Sequence, residues 1–148
     1  MLRKTFKNVR LGLLLVILSA LLAQATVTFA VNSPDLFVGN FGGHLASGTV
    51  YRLHAGEKVR FFVANHGGVG STLSVTSVTA SYILGSSGLS FPAHDADATP
   101  YTLDSPGGNK YFDVQCTSNP VTLTGVRVRI LSDDPNEATY DLLIGCQP

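Results

Sequence analysis

The chain has 148 residues, which is room for one domain once a leader is removed. Its ten basic and ten acidic residues cancel formally, but four of the basic residues precede Leu11 and every acidic residue lies at or beyond Asp35. The body of the chain therefore carries six basic against ten acidic residues, a net charge of −4. This body lacks the basic surface that nucleic-acid binding requires, so we expect no nucleic-acid partner.

The N-terminus has the order of a secretory signal peptide. Basic residues up to Arg10 precede an apolar run at 11–23, and Ala23 and Ala25 supply the small side chains that a signal peptidase accepts near its cut. We predict cleavage after Ala25 and export to the medium, the periplasm or the cell surface. The alternative is an uncleaved leader helix that anchors the protein in a membrane, but Gln24 ends the apolar run short of the roughly 20 residues that a span needs.

This interpretation divides the chain into a signal peptide at 1–25, a linker at 26–34 and one folded domain at 35–148. Within the domain, short segments of alternating apolar and polar residues lie between clusters of Gly, Pro, Ser and Asn, the pattern of β-strands joined by turns. The predicted strands are 35–38, 58–65, 71–80, 88–91, 110–116, 126–130 and 140–144. The glycine- and serine-rich 40–49 and the aperiodic 92–109 are predicted loops.

The last two predicted strands give the clearest hairpin signal. Three apolar residues alternate with Arg127 and Arg129, and they are Val126, Val128 and Ile130. Turn formers at 132–137 separate this strand from the next, so we predict a hairpin with one buried and one solvated face. About seven strands and no amphipathic helix after the leader predict an all-β fold, an antiparallel β-sandwich of immunoglobulin type. A small barrel is the alternative.

The two cysteines are predicted to form a disulfide. Cys116 shares a strand face with Phe112 and Val114, and Cys146 shares one with Leu142 and Ile144, so both point inward. An even cysteine count in an exported protein favours a bridge. In an immunoglobulin-type order the two strands belong to opposite sheets, so the bond would join the sheets.

The long predicted loop at 92–109 is a candidate binding loop. Its polar candidates are His94, Asp95, Asp97 and Asp104. Two interpretations remain open, because long loops are either functional or passive insertions. In either case we expect that exchanging most of the loop for a short Gly-Ser turn leaves the fold intact.

No catalytic, metal-binding or cofactor-binding residue is assigned. The acidic cluster Asp133, Asp134, Asn136 and Glu137 lacks the ligand spacing of a calcium loop, and a solvated turn explains it. Three further histidines lie on separate segments and predict no zinc site: His44, His54 and His66. Residues 85–88 are one position short of a serine-nucleophile elbow. Arg60 together with Arg127 and Arg129 is a candidate basic stripe, although strand residues facing solvent are ordinarily charged.

The order of these motifs resembles the ASPM–SPD-2–Hydin (ASH)-like immunoglobulin domains and the bacterial choice-of-anchor D domains. The matching positions are the turn Ala55-Gly56-Glu57, the strand and turn Val59, Phe61, Val63, Asn65 and Gly67, the strand Leu73, Val75 and Val78, the pair Phe112 and Val114, and the hairpin Val126, Val128, Ile130, Ser132, Asp134, Pro135, Tyr140 and Gly145. This sequence departs from the family where Cys116 replaces an expected aromatic residue and where residues 84–109 replace a short connection. The resemblance implies an immunoglobulin-like, non-catalytic module of exported proteins, without active-site residues to transfer.

We therefore expect an exported, non-catalytic module that binds a protein or a surface glycan, or that serves as a structural element of the periplasm or cell surface. The first alternative is the same module tethered to a membrane by an uncleaved leader, acting as a scaffold or assembly subunit. A small secreted hydrolase or metal-dependent enzyme is a further alternative. The sequence names no partner and predicts no cofactor.

Overall fold

The computed structural model describes residues 33–92, 96, 98–117 and 123–147. All regular secondary structure in these residues is β, in ten strands: β1 Leu36–Asn40, β2 Gly43–His44, β3 Val50–His54, β4 Lys58–Asn65, β5 Thr72–Leu84, β6 Leu89–Ser90, β7 Tyr101–Asp104, β8 Asn109–Cys116, β9 Thr124–Ser132 and β10 Thr139–Gln147. The predicted leader helix and its cleavage residues Ala23 and Ala25 lie outside the described residues. Over the described ranges, no helix has the length and hydropathy to cross a membrane.

The strands form two five-stranded sheets. The first sheet has the order β2-β1-β4-β8-β6, and the second has the order β3-β10-β9-β5-β7. Neighbouring strands are antiparallel, except that β3 runs parallel to β10. The all-β prediction is confirmed.

One hydrophobic core lies between the two sheets, which makes the domain a β-sandwich. Every second residue of the central strands is buried, as the period of a strand with one dry face requires. The largest fully buried side chains are Tyr140, Phe61, Leu53, Leu73, Ile130, Leu142 and Ile144. Phe61 and Phe112 stack across β4 and β8 with ring centroids 5.2 Å apart.

The terminal hairpin has the predicted register. Val126, Val128 and Ile130 are buried, while Arg127 and Arg129 face outward. β10 pairs with β9 along its whole length. The hairpin prediction is therefore confirmed.

The sequence pattern missed three edge strands. β2 lies inside the predicted loop at 40–49, where it pairs with β1. β3 lies in a segment without a prediction, and β7 lies inside the predicted loop at 92–109, where it pairs with β5 and buries Leu103. The loop prediction is wrong at these residues. β2 has no buried residue, and β3 and β7 have one each, Leu53 and Leu103. A single inward residue cannot display an alternation. β5 is also longer than predicted and extends to Leu84.

The predicted disulfide between Cys116 and Cys146 is present, with a Cα–Cα distance of 5.4 Å. Cys116 ends β8 of the first sheet, and Cys146 lies near the end of β10 of the second sheet. The bond therefore joins the two sheets across one end of the core.

Candidate binding surfaces

The acidic turn of the terminal hairpin is used for folding contacts. Asp134 is buried, and its carboxylate accepts hydrogen bonds from the backbone amides of Leu36 at 2.7 Å and Asn136 at 2.7 Å. Asp133 accepts from the amide of Ser74 at 2.7 Å. These bonds tie the turn to β1 and to β5. Within the described ranges, no group of three or more His, Cys, Asp or Glu residues is placed to hold a metal ion.

Two other groups near this turn have shifted acidities. Burial raises the pKa of the Glu137 carboxyl, an effect that a hydrogen bond with Ser47 partly offsets. Burial also raises the pKa of the Tyr140 phenol, whose hydroxyl donates to the carbonyl of Leu45 at 3.0 Å. Both groups form hydrogen bonds within the fold.

The three arginines proposed as one basic stripe lie on different sheets. Arg60 is on β4 of the first sheet, and Arg127 and Arg129 are on β9 of the second sheet. The single stripe is therefore wrong, because the outer faces of a sandwich point away from each other. The predicted alternation within each strand is correct, but the sequence does not show which strands share a sheet.

On each outer face, outward basic side chains have a carboxylate beside them. Nε of Arg60 donates to the buried Asp113 at 2.8 Å, and Nζ of Lys58 lies 2.7 Å from the same carboxylate. On the other sheet, Arg129 binds Asp141 with two contacts of 2.8 Å. The hydrogen bond from Arg129 lowers the pKa of Asp141. Lys58, Arg60 and Arg129 are therefore engaged in ion pairs within the fold.

Of the four residues of the candidate binding loop, the structure describes Asp104. Asp104 is in β7, where its carboxylate accepts from the hydroxyl of Thr72 at 2.9 Å across the strand pair. His94, Asp95 and Asp97 lie outside the described residues.

The structure brings two of the scattered histidines together. The ring of Phe37 stacks on His66 with centroids 4.0 Å apart and on His44 with centroids 5.0 Å apart. Gly39 makes this possible, because a Cβ there would collide with the Phe37 ring. His54 ends β3 in the other sheet.

These rings belong to a larger group on the outer face of the first sheet, which we name the aromatic face. Its members are Phe37, Phe41, His44, Phe62, His66 and Tyr111. Phe41 is 89% exposed and meets Phe62 edge-on at 5.3 Å, and the guanidinium of Arg60 lies 4.1 Å from the centroid of the Tyr111 ring. A depression of about 280 Å³ beside Phe41 is lined by Lys58, Val59, Arg60 and Asp113.

The outer face of the second sheet carries a different feature, which we name the apolar trough. Gly125 of β9 and Gly145 of β10 are directly opposite each other in the ladder and form its floor. Its walls are Val50, Ile83, Leu84, Leu123 and Leu143, and Arg52 lies at its rim. Its volume is about 230 Å³.

Sequence reasoning placed Lys58, Arg60 and Phe62 on one strand face but identified neither surface. The signal for the trough was the position of the two glycines on the outward side of the predicted hairpin, which the hairpin register brings opposite each other. The aromatic face combines β1, β2, β4 and β8, so no local pattern could show it.

No protein-family profile matches the chain, and no curated protein matches it. A solved protein of unknown function from Porphyromonas gingivalis is similar in structure, with a TM-score of 0.53 and 15% sequence identity over 80% of this chain and 49% of that chain. A family 123 glycoside hydrolase from Clostridium perfringens gives a TM-score of 0.46 and 7% identity over 78% of this chain and 27% of that chain. The chain spans about half of the first protein. At this identity the first similarity concerns the fold alone.

Proposed function

We propose that this chain is an exported, non-catalytic binding module with an immunoglobulin-like fold, related to the ASH-like and choice-of-anchor D domains. The strand order supports the fold: an immunoglobulin domain has sheets A-B-E-D and G-F-C. The order β1-β4-β8-β6 in one sheet and β10-β9-β5 in the other corresponds to these letters taken in chain order. Three short strands, β2, β3 and β7, are then additions at the sheet edges.

The main support for a binding function is the aromatic face. Aromatic residues and arginine are enriched where proteins meet partners, because large rigid rings bury much surface at a small entropic cost. Phe41 is 89% exposed in water, and it stands beside Phe62 and the Lys58–Arg60–Asp113 ion group. An exposed ring next to fixed charges suits a partner with apolar and polar groups side by side, which is a protein or a surface glycan.

Capture of the partner tests this proposal. The mature domain serves as bait in the native envelope or medium, and a captured partner is then titrated by calorimetry. Phe41→Ser should abolish binding because it removes the exposed ring. Val69→Ser is the matched control, since Val69 is an apolar side chain 77% exposed outside the aromatic face. Equal affinity of Phe41→Ser and the unmodified domain would exclude this face as the binding surface.

The export part of the proposal rests on the order of charge, apolar run and small residues in the leader. Mass spectrometry of the protein recovered from the envelope or medium should give Thr26 as the first residue. Retention of Met1 in a membrane fraction would instead support the tethered scaffold, with the same binding domain held by its leader.

A further inference from the structure

We propose that the apolar trough is a second binding site, for a segment of a partner protein that presents one large apolar side chain flanked by carboxylates. The trough is on the second sheet and the aromatic face is on the first sheet. The two sites are therefore independent, and this inference goes beyond the proposed function.

The two floor glycines have no structural reason to be glycine. Neither Gly125 nor Gly145 has a positive φ. A Cβ on Gly145 would have its nearest contact at 3.9 Å, the carbonyl oxygen of Thr124, so a side chain fits there. Glycine inside a strand weakens the strand, and it often marks a place where another molecule approaches the backbone closely.

Apolar side chains surround Gly125 and Gly145, and they remain partly exposed to solvent. Val50 is 58% exposed, and Ile83 and Leu84 are 50% exposed each. A β-bulge between Tyr82 and Leu84 adds a residue to β5, so Ile83 and Leu84 both reach Gly125, with contacts of 3.4 Å to its ideal Cβ position. The bulge directs two side chains to the same wall, which gives the trough a defined shape.

The volume of the trough sets the size of the group that fits. A closed cavity of about 150 Å³ binds benzene. The trough holds about 230 Å³ and opens to solvent. One phenylalanine, leucine or isoleucine side chain fills it.

The positive charges around the trough favour an anionic partner. Among the described residues Arg52 forms no ion pair, and it is directly opposite Gly145 in the ladder. Arg127 follows Gly125 by two positions, and its buried Nε has no hydrogen-bond partner. Asp141 lies 4.0 Å from Arg127, beyond hydrogen-bonding distance, and is engaged by Arg129.

The Arg127 side chain is 41% exposed, so a carboxylate next to the apolar side chain can pair with its guanidinium, as the geometry of an arginine favours. A second copy of this chain is the less suitable occupant, because a twofold contact would bring Arg52 and Arg127 of one copy against the same arginines of the other.

Fluorescence anisotropy with a labelled synthetic peptide tests the proposal. The probe is a short peptide with a central phenylalanine flanked by aspartates on both sides. Two matched probes replace the phenylalanine by alanine or the aspartates by lysines. We expect saturable binding of the first probe and at least roughly tenfold weaker binding of both controls. The alanine probe loses the apolar side chain that fills the trough, and the lysine probe places like charges against Arg52 and Arg127.

Variants of the chain locate the bound peptide. Gly145→Val fills the floor and should abolish binding, and Gly145→Ala should weaken it. Thr139→Val is the matched control, because Thr139 is exposed on the same face of the same strand outside the trough. Arg127→Glu should weaken binding of the aspartate probe and should not weaken binding of the lysine probe. Phe41→Ser should leave binding unchanged.

Three results would overturn the proposal: equal binding of the phenylalanine and alanine probes, unchanged affinity of both glycine variants with the fold verified by circular dichroism, or light scattering that shows a dimer which Gly145→Val dissociates. The last result would assign the trough to a second copy of the chain.

Discussion

One side-chain amide links three parts of the sandwich. Oδ1 of Asn65 accepts from the amides of Asp35 at 3.1 Å and Gly67 at 3.0 Å. Its Nδ2 donates to the carbonyls of Ser71 and Leu103, each at 3.1 Å. Asn65 therefore connects the residue before β1, the turn between β4 and β5, and β7.

Replacement of Asn65 by alanine should destabilise the domain strongly. The change leaves buried backbone groups without partners, so we expect a loss of about 2–3 kcal/mol in the free energy of unfolding. Asn109→Ala is the control, because Asn109 is exposed at the start of β8, and we expect a change within about 0.5 kcal/mol. Urea unfolding of both variants gives the comparison, and similar midpoints for the two would disprove the linking role of Asn65.

Asp141 and Glu137 should contribute to the stability of the domain with opposite pH dependence. The hydrogen bond from Arg129 lowers the pKa of Asp141 from its ordinary value of 3.8. Asp141 therefore contributes stability above that value, which is lost as pH falls through the folded-state pKa. Burial raises the pKa of Glu137 above its ordinary value of 4.5, so its charged form costs stability at neutral pH and the cost disappears on acidification.

Two amide variants separate these effects. Asp141→Asn should lower the thermal midpoint at pH 7 and lose less stability than the unmodified domain below pH 3.8. Glu137→Gln should raise the midpoint at pH 7. Thermal unfolding across the acid range measures both, and parallel pH profiles for the two variants would contradict the opposite shifts.

Among the elements, the sequence predicted the terminal hairpin and the central strands because each has several inward residues in alternation, as in Val126, Val128 and Ile130. It did not predict β2, which has no buried residue, or β3 and β7, which have one each, Leu53 and Leu103. One inward residue gives no period. The disulfide was predictable because both cysteines continue an inward alternation. The binding surfaces were not, since each depends on which strands become neighbours.

The structure of β7 changes what is expected from shortening the predicted loop. Exchange of residues 93–108 for a Gly-Ser turn removes the strand that pairs with β5 and the buried Leu103. We now expect a loss of at least about 2–3 kcal/mol, similar to that from Leu103→Ala. Chemical unfolding of the two proteins checks this. A loss of less than about 0.5 kcal/mol in the free energy of unfolding of the shortened protein would show that β7 adds little.

For the molecule as a whole, the main covalent constraint is the bond between the sheets. The bridge closes a segment with a sequence separation of 30. Closing a loop of that length stabilises by about 3–4 kcal/mol, chiefly by restricting the unfolded chain. The double variant Cys116→Ser and Cys146→Ser should lose that amount in urea unfolding. Free thiols titrated in the unfolded, unreduced protein would contradict the bond itself.

The same bond determines how the domain responds to mechanical load. A pull applied before Cys116 and after Cys146 passes directly through the two sulfur atoms, so β9 and most of β10 carry no tension while the bridge is intact. The bridge spans a sequence separation of 30, about 100 Å of chain when extended. Once load has unfolded the strands, reduction of the bond adds this length to the chain, and a module stretched between two attachments gains slack.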